Sequence, residues 1–214
     1  VVVLKSEGVD VAKFSPIFFT DNVKEIRFII IARMIWEKGV GEYVEAARII
    51  KAKYSNVRFY VLGLLDLDNP NSISKEQIKE WSRDGIIEYL GVTENVRDVI
   101  ANVDCVVLPS YREGVPRVLL EAASMARPII TTDSIGCREV VDDGINGFLC
   151  KIRDAEDLAE KMEKIINMSV EERRKMGYAG RRKVLKEFDE KIIIKKYLEI
   201  IEEIEKSAYE PSIL

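Results

Sequence analysis

The 214-residue sequence has no histidine, a single glutamine and only three cysteines. Without histidine, the chain cannot supply the base of a Ser-His-Asp triad or of any other histidine-dependent mechanism. Cys105, Cys137 and Cys150 are odd in number and form no CxxC pair, which argues against a disulfide framework or a zinc site. We interpret them as small core hydrophobes in a reducing cytosol. The scarcity of glutamine, beside abundant Lys, Glu and Ile, resembles a thermophile composition.

Long apolar runs and excess positive charge are also missing. No apolar run approaches the roughly 18 residues of a membrane span, and no signal peptide opens the chain. The net charge is −4, whereas a general nucleic-acid binder usually carries a positively charged surface. We therefore expect no nucleic-acid partner and a cytoplasmic location, with a peripheral position at the membrane left open for the full-length protein. The chain begins with Val1 rather than Met, so we expect a fragment or a processed product.

Short hydrophobic runs alternate with longer amphipathic patterns. The predicted strands are 27–32, 57–62, 86–90, 105–108, 128–132 and 147–150, and the predicted helices between them are 42–54, 74–81, 96–101 and 116–125. This alternation predicts βαβ units and an α/β fold with a doubly wound parallel sheet. Three charged amphipathic helices are predicted to follow, at 156–166, 170–187 and 190–206. Residues 5–16 resemble a linker, and Ser74 and Gln77 have the spacing of a capping box.

Ligands of open α/β sheets bind at the carboxyl ends of the strands. Arg33 and Lys38 follow the first predicted strand and could neutralise a diphosphate. Segment 109–116 (PSYREGVP) follows the fourth strand and feeds a helix in which Pro116 suits the first helical position. The free N–H groups of that first turn can hold an anion. Gly114 would let a ligand approach the backbone closely.

Two glutamates flank this predicted anion site. Glu121 falls in the second helical turn, and helical side chains lean towards the N-terminus, so its carboxylate could accept from vicinal hydroxyls such as those of a ribose. Glu113 lies on the loop, on the opposite side of the anion, where a sugar could sit. Two glutamates at this spacing, taken alone, are better explained as solvated side chains, whereas Arg33 and Lys38 alone are explained equally well as surface cations. Their joint order along the βαβ pattern favours a site for a phosphorylated, hydroxyl-rich ligand.

Four segments together resemble the retaining glycosyltransferases of GT-B fold, family 4 (glycosyl transferases group 1). They are Gly8-Val9-Asp10 with Phe14, 31–40 (IARMIWEKGV), 88–133 (EYLGVTENVRDVIANVDCVVLPSYREGVPRVLLEAASMARPIITTD) and 136–149 (GCREVVDDGINGFL). Within them, 113–121 (EGVPRVLLE) resembles the family's E-x7-E motif. Segment 62–74 (LGLLDLDNPNSIS) is similar to members that build surface polysaccharides and protein-linked glycans, which often use UDP-N-acetylhexosamines and lipid-linked acceptors.

The resemblance implies a donor site and a reaction. The implied donor-binding residues are Arg33, Lys38, Gly91, Val92, Glu113, Gly114, Val115, Pro116, Arg117, Val118 and Glu121. Arg33 and Lys38 would neutralise the diphosphate, while Glu113 and the following backbone would hold the sugar and phosphates; these three side chains are the implied catalytic residues. Arg117 and Val118 would present further N–H groups, Glu121 would bind the ribose, and the turn at 90–92 would lie against the base. The implied reaction is transfer, with retention, from a nucleotide-sugar, expected to be a UDP-sugar, to a glycan or lipid-linked acceptor.

The resemblance also implies a missing half. Family members have an N-terminal Rossmann-like domain that carries the acceptor site, and their last helices cross back onto it. We therefore expect a Rossmann-like nucleotide-sugar-binding domain over 1–187 and a helix over 188–214 that packs on the missing domain. An apolar face over 184–214 would then be left uncovered, and the fragment alone would be inactive.

Several alternatives remain open. A UDP-sugar epimerase of GT-B fold would need acid and base groups from the missing half, and the E-x7-E spacing argues against it. A non-catalytic nucleotide-sugar-binding module would bind without turnover. A dehydrogenase is excluded because no G-x-G-x-x-G follows a predicted strand. Asp66 and Asp68 resemble a metal-binding DxD, but the fold pattern is wrong for that class and a polar loop explains them; we expect no metal and no cofactor. Trp36 and Trp81 are interpreted as packing groups.

Overall fold

The computed structural model describes residues 7–17, 25–66 and 68–209, with side chains to residue 206. The strands are β1 Ile26–Ile31, β2 Val57–Leu62, β3 Glu88–Tyr89, β4 Cys105–Leu108, β5 Ile129–Thr132 and β6 Gly147–Cys150. The helices are α1 Val40–Lys53, α2 Lys75–Arg83, α3 Val96–Ala101, α4 Arg117–Ser124, α5 Ile135–Val140, α6 Ala155–Asn167, α7 Val170–Glu187 and α8 Glu190–Tyr209. A short 3₁₀ turn, Trp36–Lys38, precedes α1.

The six strands form one parallel sheet in the order β3-β2-β1-β4-β5-β6. The chain runs outwards from β1 to β3, returns to the centre at β4 and runs outwards again to β6. The predicted doubly wound α/β fold is confirmed. The winding direction reverses between β1 and β4, and such a switch point opens a crevice at the carboxyl ends of the two strands.

Each face of the sheet is covered by its own layer of helices. One core joins β1 and β2 to α1, α2 and α6, and includes a stacked pair, Phe28 and Phe59, with ring centroids 5.5 Å apart. The other core joins the opposite faces of β1 and β4 to α3, α4, α5 and α7. Strands covered on both faces explain the continuous Ile and Val runs of the sequence. The three cysteines are buried with free thiols, which confirms their interpretation as core hydrophobes.

Some local expectations are wrong. The third strand is only two residues long. Helix α5 was not predicted, because its short sequence IGCREV contains Gly136, which disfavours a helix. The capping box at Ser74 is half formed. Its hydroxyl accepts from the Gln77 N–H at 3.1 Å, but the Gln77 side chain donates to Glu80 rather than back to the cap.

Residues 7–17 pack on the domain, so the interpretation of 5–16 as a linker is wrong over 7–16, while residues 5 and 6 lie outside the described part of the chain. The Val9 N–H donates to the Phe188 carbonyl at 2.9 Å, and the Glu190 N–H donates to the Val9 carbonyl at 3.1 Å. The Arg181 guanidinium also donates to the carbonyls of Val11 and Phe14, both at 3.4 Å. These bonds tie the segment to the junction between α7 and α8, a long-range pairing that no local pattern reveals.

Arg127 is a buried structural cation that the sequence did not single out. Its guanidinium donates to the carbonyls of Ile100 at 3.0 Å and Ala101 at 2.6 Å, at the end of α3, and of Ile17 at 3.3 Å. Burial lowers its pKa to about 10.

Within the part of the chain that the structure describes, no helix combines the length and apolar content needed to cross a bilayer.

Candidate functional site

The loops after β1 and β4 interlock at the switch point. Gly39 has φ +72°, and a Cβ atom there would lie 2.1 Å from the Pro109 carbonyl oxygen, so only glycine fits. The Tyr111 N–H donates to the Glu37 carbonyl at 2.9 Å, and the Ser110 hydroxyl donates to the same oxygen at 3.1 Å. The two loops that the sequence marked as candidates therefore form one structural unit.

Lys38 and Glu113 meet across this unit. The Lys38 Nζ lies 2.5 Å from Glu113 Oε1, and the two side chains are 20% and 14% exposed. Partial burial strengthens such a charge-assisted hydrogen bond relative to an exposed ion pair. The Glu113 carboxylate is thus held beside the cation, at the mouth of the loop that leads into α4.

The first turn of α4 presents unpaired backbone donors. Among the described residues, no acceptor is found for the N–H groups of Gly114, Val115, Arg117 and Val118. Pro116 is the N-cap, with φ −73° and ψ 115°, so its expected place as the first helical residue is wrong by one position. Its carbonyl accepts from the Leu119 N–H at 3.0 Å, as a capping residue's carbonyl does. Free N–H groups at the positive end of a helix favour an anion.

Glu121 lies in the second turn of α4, as expected. Its Oε1 accepts from the Arg117 Nε at 3.3 Å, and the Glu121 side chain is only 12% exposed whereas that of Arg117 is 65% exposed. Burial raises the pKa of the Glu121 carboxyl, and the Arg117 guanidinium offsets part of that shift. A shielded carboxylate near the helix N-terminus is suited to accepting hydrogen bonds from a ligand's hydroxyls.

Helix α5 supports the loop from behind. A Cβ atom on Gly136 would lie 1.0 Å from the Gly114 carbonyl oxygen, so the two backbones touch and Gly136 cannot be replaced without moving the loop. A glycine at position 136 is consistent with a close backbone contact, but the sequence does not indicate that Gly114 is the partner.

Tyr111 fixes the same loop on its other side. Its hydroxyl donates to Glu42 Oε1 at 2.6 Å, and the Arg153 guanidinium lies 4.5 Å from the centre of its ring. Burial, and then the hydrogen bond to Glu42, raise the pKa of Tyr111 to about 12. The hydroxyl therefore remains protonated at neutral pH and acts as a fixed hydrogen-bond donor. No local sequence pattern predicts this contact, because it joins residues 69 positions apart.

Arg33 follows the central strand β1, and the turn at 90–92 follows the edge strand β3, both at the carboxyl edge of the sheet. Arg33 Nη1 lies 3.3 Å from Asp66 Oδ2. Gly91 has φ +75° and accepts at its carbonyl from the Gly63 N–H at 2.8 Å, beside an exposed Val92. Every predicted site residue thus follows a strand at the carboxyl edge, although β2 separates the turn at 90–92 from Arg33.

The tryptophans pack against each other, as interpreted. The ring centroids of Trp36 and Trp81 are 6.2 Å apart in an edge-to-face arrangement.

Among the described residues, no group of three or more Cys, Asp and Glu side chains is placed to hold a metal ion.

Comparison with known proteins identifies the family. The sequence model described as "Glycosyl transferases group 1" matches residues 16–183. The chain belongs to this family.

Two known relatives extend the match. The chain is 31% identical, over 97% of its length, to the N,N'-diacetylbacillosaminyl-diphospho-undecaprenol alpha-1,3-N-acetylgalactosaminyltransferase of Campylobacter jejuni, and it covers 55% of that protein. It is 32% identical, over 76% of its length, to the capsular polysaccharide biosynthesis glycosyltransferase CapM of Staphylococcus aureus, and covers 42% of it. The chain therefore spans about half the length of these relatives.

A solved structure shares the fold. Anabaena HepE in complex with UDP superposes with a TM-score of 0.78 at 18% identity, over 92% of this chain and 56% of HepE. At that identity the likeness establishes the common architecture of the six-stranded domain.

Proposed function

We propose that this chain is the donor-binding half of a glycosyltransferase that takes its sugar from a UDP-sugar. The observation that carries this proposal is the meeting of Lys38, Glu113 and the N-terminus of α4 at the switch point of the sheet. A cation, a carboxylate and unpaired N–H groups within one interlocked unit suit a ligand that is anionic at one end and hydroxyl-rich at the other. UDP is bound by HepE, which supports the choice of nucleotide.

The diphosphate would lie over the first turn of α4. The N–H groups of Arg117 and Val118 and the charges of Arg33 and Lys38 would neutralise it. Once the donor is bound, these groups would already lie beside the diphosphate, so they would stabilise the negative charge that it acquires on departure. Electrostatic stabilisation of this kind, with no metal, is the catalytic role that we assign to Arg33 and Lys38.

The two glutamates would bind opposite ends of the donor, the ribose and the transferred sugar. Glu121 would accept from the ribose hydroxyls, and Glu113, with the backbone of Gly114, Val115 and Pro116, would hold the sugar. The turn at Gly91 and Val92 would contact the base. Glu113 is the residue that we place against the transferred group, because Lys38 holds its carboxylate at the mouth of the loop.

The acceptor would be a glycan or a lipid-linked sugar, used with retention of configuration. The Campylobacter relative acts, by its name, on a diphospho-undecaprenol-linked sugar, and CapM serves capsular polysaccharide synthesis. We assign residues 1–187 to the donor-binding domain, and we propose that 188–214 contacts the half of the relatives that this chain does not match.

A screen of nucleoside diphosphates and their sugars tests the proposal. Calorimetry should detect binding of UDP and UDP-N-acetylhexosamines to this chain, and weaker binding of ADP and GDP. Binding of no nucleoside diphosphate would contradict it. The epimerase alternative predicts that the full-length protein interconverts UDP-sugars without an acceptor, and the non-catalytic alternative predicts binding with no turnover at all.

A further inference from the structure

Each of three cations at the proposed donor site is paired with a carboxylate. Arg33 pairs with Asp66 at 3.3 Å, Lys38 with Glu113 at 2.5 Å and Arg117 with Glu121 at 3.3 Å. The charges within this group therefore cancel. A diphosphate that binds here has to draw at least one cation away from its carboxylate, and the three pairs differ in how easily that happens.

Asp66 is held beside Arg33 by the backbone of its own loop. The Met34 N–H donates to the Leu64 carbonyl at 2.9 Å, and the Ile73 N–H donates to the Met34 carbonyl at 2.9 Å. The Trp36 N–H donates to the Asn71 carbonyl at 3.0 Å. The loop after β2 is thus joined on both sides of Asp66 to the segment that carries Arg33, so the contact between the two side chains is built into the fold.

The Arg33–Asp66 pair is the more easily broken of the two that involve the proposed diphosphate-binding cations. Arg33 and Asp66 are 57% and 27% exposed, against 20% and 14% for Lys38 and Glu113. Exposed ion pairs contribute little to stability because water screens them. A diphosphate carries more negative charge than a carboxylate, and two of its oxygens can accept from the paired N–H groups of a guanidinium. It can therefore replace the Asp66 carboxylate at little cost.

We propose that Asp66 is the exchangeable counter-ion of Arg33, which it holds at the site and releases to the donor diphosphate. The proposal rests on the proposed function. Lys38 keeps its bond to Glu113 during the exchange, because that pair is more buried. Asp66 would therefore act as a positioning residue that competes with the ligand, and it would not be a metal ligand, although its spacing from Asp68 resembles a DxD motif.

The test compares Asp66→Asn with Asp68→Asn by calorimetry, in low-salt buffer with excess chelator. Both substitutions remove one negative charge from the same loop, but Asp68 is exposed and makes no ion pair among the described residues. Asp66→Asn frees Arg33 and removes a like charge, so UDP should bind about three- to tenfold tighter, while uridine affinity stays unchanged. Asp68→Asn should change UDP affinity less than about twofold.

A double-mutant cycle isolates the exchange. In an Arg33→Ala background, Asp66→Asn should lose most of its effect, because there is no cation left to release. Weaker UDP binding by Asp66→Asn, restoration of binding by Mg²⁺, or equal gains from both asparagine variants would overturn the proposal. If the unsubstituted chain binds UDP and Asp66→Asn leaves its affinity unchanged, the Asp66 proposal alone fails. If the unsubstituted chain binds no nucleoside diphosphate, the proposed function fails and takes this proposal with it.

Discussion

Arg33 is the most exposed of the three proposed catalytic side chains, and its contact with the diphosphate is the simplest to isolate. Arg33→Ala removes one charged partner of the phosphate oxygens, a loss of about 1.5–3 kcal/mol. UDP affinity should fall by roughly tenfold or more, while uridine affinity hardly changes. Isothermal titration measures both ligands on the same protein, and Arg83→Ala, an exposed arginine on α2, is the matched control. Equal losses for UDP and uridine would refute the assignment.

Glu113 and Glu121 are expected to respond differently to truncation. Glu121→Ala should weaken both UDP and UDP-sugar, because each carries the ribose. Glu113→Ala should weaken the sugar-bearing donor or its turnover. It should leave UDP affinity undiminished, because it also frees Lys38 from its ion pair. Titrations of each variant with UDP and a UDP-sugar distinguish the roles, and the reverse pattern would exchange them.

The burial of Glu121 should favour UDP binding but lower the stability of the folded chain. The pKa of Glu121 in the folded state is raised above the ordinary value of 4.5. At pH values between 4.5 and the raised pKa, the folded state therefore binds more protons than the unfolded state. The free energy of unfolding therefore falls as pH rises through that window, and the cost persists at neutral pH. Glu121→Gln should stabilise the chain at pH 7 and lose this advantage below about pH 4.5, while binding UDP more weakly. Urea unfolding at both pH values checks this, and a destabilised variant at pH 7 would contradict it.

The elements show which parts of the fold could be predicted. Most strands and helices were located because their apolar periods are local. The Arg127 and Arg181 contacts, the role of Gly136 and the docking of residues 7–17 were missed, because each depends on partners distant in sequence. The candidate site was predicted in its charged and glycine-rich parts. The supporting contact between Glu42 and Tyr111 was not, because neither residue shows a pattern that identifies the other.

Helix α8 carries the uncovered apolar face, but over a shorter range than expected. Val184 and Phe188 are buried against the chain's own domain, whereas Leu185 between them is 41% exposed. The expectation of an uncovered face from residue 184 is therefore wrong for Val184 and Phe188. Residues 210–214 lie outside the described part of the chain. Among the α8 side chains that the structure describes, up to residue 206, the exposed apolar ones are Ile194, Tyr197, Leu198, Ile201 and Ile204. Their spacing of three or four residues places them on one side of the helix.

Such a stripe favours association of this chain with itself. Sedimentation at increasing concentration should reveal oligomers. Leu198→Glu combined with Ile201→Lys should reduce them while leaving UDP affinity unchanged, since both side chains are exposed on α8. Lys195→Ala, on the same helix, serves as the control and should keep the oligomers. A monomer at all concentrations for the unsubstituted chain would contradict this expectation.

At the scale of the whole molecule, donor binding and sugar transfer should separate. Transfer requires two reactants held together and water kept out, and the proposed site opens at one edge of a single domain. This chain, about half the length of its relatives, should bind UDP-sugar but transfer no sugar. Calorimetry and a transfer assay with a lipid-linked acceptor, on one preparation, test both halves of this expectation. Efficient transfer by the 214-residue chain would show that the acceptor site has been misplaced.

The most direct test of the central claim is an NMR titration of the labelled 24.4 kDa chain with UDP, because it reports both binding and position. Amide shifts should move at 33–39 and 113–121, around the switch point, and at 91–92, which follow β3, while those at the amino ends of the strands stay unchanged. No shift at saturating UDP, or shifts confined to regions away from the carboxyl ends of β1 and β4, would contradict the account.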